Sequence, residues 1–234
     1  MKYFIFIIAF FFSISLIAQN GLVEKHFSGV DSLYREDQFY LGLGVNFLLN
    51  RPQDMRQSGF SGGFHLGYIR DMPLNTRRNI SIGVGIGLSV NTYTQNLFIG
   101  EDVSGQTIFD VIDSNVDFNE NRFSTNVVEM PIHLRWRTSD IGDNNSFWRI
   151  YTGLNIGYLY YFKSVYRQGA LTVEQTQFDE LNRMRYAFYF AFGKSKINFF
   201  FKYSLNPLFD GLLQDTGQPL GVDEIKAGLV FYIL

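Results

Sequence analysis

The 234-residue chain has no cysteine, only three histidines and a formal net charge of −2. Without cysteine there is no disulfide framework, no thiolate metal site and no lipid-modified cysteine anchor. A slightly acidic balance lacks the basic surface that phosphate binding needs, so nucleic acid is excluded as a partner. Long apolar runs are also scarce. The mean hydropathy of −0.02 would pass for that of a soluble protein. The main uninterrupted run, residues 3–18 after Lys2, is short for a spanning helix of about 20 residues. It predicts a cleaved signal peptide over 1–18, with cut after Ala18, although Leu16 is a poor minus-three residue; an uncleaved anchor helix is the rival reading. Residues 19–37 then form a polar periplasmic tail without alternation.

What the chain has is a strict period of two. Between Asn79 and Asn91, Ile80, Ile82, Val84, Ile86, Leu88 and Val90 fall on one side, and Ser81, Gly83, Gly85, Gly87 and Ser89 on the other. Strand side chains alternate between faces, so one face is aliphatic and the other carries the smallest residues. A narrow membrane barrel needs that partition: lipid outside, little room inside. The same vocabulary recurs in seven further segments, giving strand cores at 39–49, 60–69, 79–91, 125–137, 148–162, 184–192, 197–205 and 224–234. Each is long enough to cross a bilayer as a tilted strand of about 9 to 11 residues. The fold class predicted is an all-β, eight-stranded, antiparallel, up-and-down transmembrane barrel spanning 38–234.

An even strand number puts both termini in the periplasm, with short turns on that side and longer loops outside. The shorter connections are 71–78, 139–146 and 193–196; the longer are 100–122, 164–183 and 206–223. Trp136 and Trp148 have outward parity and flank one proposed periplasmic turn, where indoles anchor at a membrane boundary. Phe147, Tyr158, Tyr160 and Phe162 are further girdle candidates.

An eight-stranded barrel has room inside only for its own side chains, which argues against a porin. The inward parity set includes His65, Glu129, His133, Arg135, Arg137, Lys202 and Lys226, with Asn46, Asn91 and Asn155. Charges confined there need partners, so Glu129 is expected among the arginines and lysines, with water or inward-folding loops serving the surplus cations. By the same parity, serine in place of Gly83 resembles Ser81 and Ser89 and is expected to be accepted. Serine in place of Val84 would strip apolar contact from lipid.

Several apparent motifs carry less than they suggest. Gly193, Lys194 and Ser195 look like the end of a phosphate-binding loop, but position 188 is Phe and the tripeptide joins two strands, which fits a tight turn. Gly83, Gly85 and Gly87 have period-two spacing with Leu88 after them, which is not a dinucleotide fingerprint. A lipid-modifying barrel enzyme would need a histidine within reach of a serine or carboxylate. Here Glu129 stands about 13 Å along the strand from His133, at about 3.3 Å per residue. Glu101, Asp102, Asp110, Asp113, Asp117 and Glu120 lack the ligand spacing and glycine of a calcium loop, and read as a solvated or partner-facing loop. Neither a cofactor nor a metal is expected.

The segments GFSGGFHLGYIRDMPLN (59–75), VVEMPIHLRWRT (127–138), FWRIYTGLNIGYLYYFKS (147–164), KYSLNPLF (202–209) and IKAGLVFYIL (225–234) give the chain a family likeness. It resembles the PorT-like, also called SprT-like, outer-membrane barrels. That resemblance implies a non-enzymatic accessory component of type IX protein secretion, linked in some bacteria to gliding motility. It implies other secretion-system proteins and outer-membrane lipid as partners, and no catalytic residues. The alternatives are a general structural or adhesion-type barrel and, less favoured, the lipid-modifying enzyme.

Overall fold

The computed structural model describes residues 37–75, 77–138 and 147–233. The expected signal peptide, the tail up to residue 36 and the connection 139–146 lie outside the described residues.

Eleven strands follow one another without a helix among the described residues: β1 (Gln38–Leu49), β2 (Gly62–Pro73), β3 (Ile80–Thr94), β4 (Leu97–Glu101), β5 (Thr107–Val111), β6 (Glu120–Arg137), β7 (Trp148–Gln168), β8 (Leu171–Gln175), β9 (Met184–Lys194), β10 (Ile197–Ser204) and β11 (Asp223–Ile233). Eight of them form the barrel. Each of β1, β2, β3, β6, β7, β9, β10 and β11 pairs antiparallel with its neighbour, and β1 against β11 closes the ring. The up-and-down topology leaves no free edge in the wall.

Alternation sets the two faces as the sequence reading predicts. Along β1, Phe39, Leu41, Leu43, Val45, Phe47 and Leu49 are exposed, while Gln38, Tyr40, Gly42, Asn46 and Leu48 are buried. One irregularity breaks the parity. In the β6–β7 pairing Asn126 faces Tyr161 and Val127 faces Leu159, so Tyr160 is the extra residue of a bulge. Tyr160 and Tyr161 consequently both point outward, and Phe162 turns inward, where it is 1% exposed. The parity reading that put Phe162 in an outer girdle fails at this bulge, because one inserted residue exchanges the faces of all that follow. Phe147 is also buried, beneath the Arg149 guanidinium at 4.5 Å from its ring.

At one end of the barrel the β9–β10 connection is only Ser195 and Lys196, with Ser195 in the left-handed region, so the Gly-Lys-Ser tripeptide ends a hairpin. At the other end the connections are long and structured. The segment read as an acidic loop holds the β4–β5 hairpin, and the segment after residue 164 continues β7 to Gln168 and adds β8 to its edge. These long connections fold over the barrel mouth. Met55, Leu97, Ile99, Phe109, Leu181, Phe209 and Val222 form one buried apolar cluster with Leu48, Phe123 and Phe162 from the wall. Phe209 sits at its centre, with ring centroids 5.6 Å from Phe123, 5.8 Å from Phe109 and 5.9 Å from Phe162.

Candidate functional site

The interior below that cap is polar and charged, and its residues come from strands that one-residue parity aims inward. Six cations are buried there, Arg135, Arg137, Arg149, Arg185, Lys202 and Lys226, together with three carboxylates, Asp71, Glu129 and Glu224. The sequence reading places Asp71 in a turn. In the structure β2 runs on to Pro73, which carries the Asp71 carboxylate inside.

Nearest the turn end, Asp71 pairs with Arg135, accepts from Arg137 at 3.4 Å and accepts the Ser81 hydroxyl at 3.2 Å. Arg135 also donates to the Gln38 side chain, and its guanidinium lies 4.1 Å over the Tyr151 ring. The surplus positive charge is thus spread over carboxylate, amide and aromatic face.

In the middle, Lys202 pairs with Glu129, and Asn155 donates to the same carboxylate at 2.8 Å. The Asn155 carbonyl oxygen is 2.8 Å from His133 Nε2, so Asn155 bridges the gap between His133 and Glu129 that spacing along the strand opens. His133 stacks on Tyr189 with centroids 4.4 Å apart, and His65 meets the edge of Phe200 at 4.6 Å. Neither histidine is hydrogen-bonded to a serine or a carboxylate among the described residues.

Toward the loop end, Glu224 gathers Arg185 at 2.9 Å, Lys226 at 3.5 Å, Ser204 at 3.3 Å and the Tyr93 hydroxyl. Between the middle and upper groups, a cavity of about 10 Å³ touches Glu129, Lys202, Glu224 and Lys226. Such a volume holds about one water molecule.

The four cations named from sequence on β6 and on the last two barrel strands, Arg135, Arg137, Lys202 and Lys226, therefore lie inside with Glu129, His65 and His133. Sequence reasoning missed Asp71, Arg149, Arg185 and Glu224. Arg149, Arg185 and Glu224 all sit at inward parity within the expected cores 148–162, 184–192 and 224–234, so alternation itself was the signal that could have found them. On the outside, Trp136 and Trp148 are 38% and 54% exposed near the turn end.

At the loop end of the barrel, several acidic residues are occupied locally. Asp102 accepts from the Ser104 hydroxyl at 2.6 Å and from the backbone of Gln106 at 2.9 Å, and these bonds hold its carboxyl below the usual range. Glu120 pairs with Arg122 and Arg167 at 2.5 and 2.9 Å. Asp110 is pushed up by burial and by the neighbouring Asp215. No cluster of three potential metal-ligating side chains occurs among the described residues.

A closed antiparallel ring with an aliphatic exterior and a charged, filled interior defines a membrane β-barrel. The outer membrane protein beta-barrel domain model matches residues 18–210, and the chain belongs to that family. Its location is the outer membrane. No curated protein matches the chain.

Proposed function

We propose that this chain is a non-enzymatic accessory component of outer-membrane protein secretion, of the type IX kind, acting through its surfaces and not as a conduit. The observation that supports this reading is where the PorT-like segments fall. Asp71 lies in segment 59–75, Glu129, His133, Arg135 and Arg137 in 127–138, and Asn155 in 147–164. Lys202 and Lys226 lie in 202–209 and 225–234. Those segments supply most of the charged residues that fill the barrel, Arg185 and Glu224 lying outside them, and a filled barrel exerts its function at its rim, its wall or its loops. The ends are oriented with the short turns and both termini in the periplasm and the long, structured connections outside, as even-stranded barrels arrange them.

Deletion of the gene, with export of type IX cargo as the readout and affinity purification of the tagged protein from detergent-solubilised membranes beside it, tests the proposal. Lost export, restored by the wild-type chain and by a His65→Ala, His133→Ala double variant present at normal abundance, is the expected result, with other secretion proteins co-purifying. Normal export in the deletion strain would return the chain to a general structural or adhesion-type barrel. Altered lipid A in that strain would favour an enzyme.

A further inference from the structure

The lipid-facing wall is not uniform. Between β1, β2, β3 and β6 lies an open apolar groove of about 580 Å³, walled by Phe39, Leu66, Tyr68, Ile86, Leu88 and Val128. Its floor is the backbone of Gly67 and Gly87, which face each other in the β2–β3 register and are aimed into the lumen, toward the Tyr40 hydroxyl. The volume falls in the range of about 300 to 1,000 Å³ typical of small-ligand sites. At its turn-end margin the Phe39 and Tyr68 rings pack with centroids 5.3 Å apart.

Immediately beyond that aromatic pair is a cation. Arg70 shares the outward face of β2 with Tyr68, two residues on, and is exposed opposite Val84. The other outward positions of β2, Phe64, Leu66 and Met72, are apolar. Asp37 is hydrogen-bonded to the Tyr68 hydroxyl, and Arg70 has no ion pair among the described residues. An arginine here, between Tyr68 and Met72 on an otherwise apolar face, can extend its head toward the turn-end interface while its stem stays against the wall.

We propose that this groove and Arg70 together bind one anionic phospholipid, an acyl chain lying in the groove and the headgroup phosphate meeting the guanidinium. Charge complementarity selects the occupant: the groove is apolar and is bordered by the Arg70 guanidinium, which forms no ion pair among the described residues. The leaflet concerned, that of the turn end, rests on the orientation proposed above; the binding itself does not.

The test is native mass spectrometry of the folded barrel in detergent, titrated separately with phosphatidylglycerol and phosphatidylcholine. Such an assay is blind to orientation in the cell, so its failure leaves the orientation standing and its success does not depend on it. The expected result is one retained phosphatidylglycerol per barrel and little phosphatidylcholine. Arg70→Gln should reduce retention about fivefold, the effect of one cation beside an anionic lipid surface. Ile86→Trp, which fills the groove, should reduce it as well. Lys196→Gln removes a charge from the same rim on the far side of the ring and should leave retention unchanged. Equal retention of the two lipids overturns the proposal, as does an unaffected Arg70→Gln or Ile86→Trp variant, or a loss in Lys196→Gln matching that in Arg70→Gln. Heat-modified gel mobility confirms that each variant is folded.

Discussion

Gly83 shows how tightly single residues are constrained inside this barrel. A Cβ added there would lie 2.7 Å from the Arg135 side chain and 2.8 Å from Ile69, with the Asp71 carboxylate 3.2 Å away. The expectation that serine would be accepted at this position is therefore reversed. Parity correctly assigns Gly83 to the lumen, but it carries no information about the volume left by residues from other strands, and here the Arg135–Asp71 pair has taken it. Gly87 is similar, since a Cβ there would meet the Tyr40 hydroxyl. Overpacking of this kind costs about 1 to 3 kcal/mol. Val84 faces outward and is only partly covered. We predict that Gly83→Ser lowers the heat-modifiability midpoint more than Val84→Ser, measured by temperature-dependent gel mobility in one detergent; the reverse order would place the free volume on the lumen side of β3. The same logic limits how far pairing was legible. Glu129 could be expected among cations from the sequence, whereas its bond to Asn155 and the three-way gathering at Asp71 depend on registers between strands that alternation leaves open.

The elements were legible where alternation is strict and the environment on each side is uniform. All eight barrel strands overlap the expected cores, with β6 and β7 extended by five and six residues at the loop end, because lipid on one side and a packed lumen on the other impose one pattern throughout. Departures occur where that uniformity ends. The bulge at Tyr160 exchanges faces within β7 without any local signal such as glycine or proline. The β4–β5 hairpin lies beyond the wall, and its alternation of Leu97 and Ile99, answered by Phe109 after the Asp-Val-Ser-Gly turn, is masked by six acidic residues nearby. Its turn is nonetheless well made: Asp102 caps Ser104 and Gln106, and Gly105 takes a positive φ of 81°. Val103 at the tip is fully exposed, and the chain has no cysteine of its own to confuse a label. A Val103→Cys variant should react with a membrane-impermeant maleimide on intact cells if the long connections face outward. Labelling only after the outer membrane is permeabilised would invert the topology.

At the scale of the molecule, two independent seals close the interior. Below, three clusters of paired charges centred on Asp71, Glu129 and Glu224 fill the lumen and leave a cavity of about 10 Å³. Removing one member of such a buried pair costs about 3 to 5 kcal/mol, so the filling resists displacement. Above, apolar residues from all four long connections pack on Phe209 and the wall. Composition and strand count anticipate the first seal; the second was not legible, because the cap is assembled from segments far apart in sequence whose apolar residues look isolated in each. A barrel sealed twice should act as a platform in the outer membrane, which is the core of the secretion proposal. Conductance of the purified, folded protein in a planar bilayer tests this most directly. The account predicts no sustained channel openings at any applied voltage that the bilayer itself survives; stable openings of uniform, large conductance would contradict it.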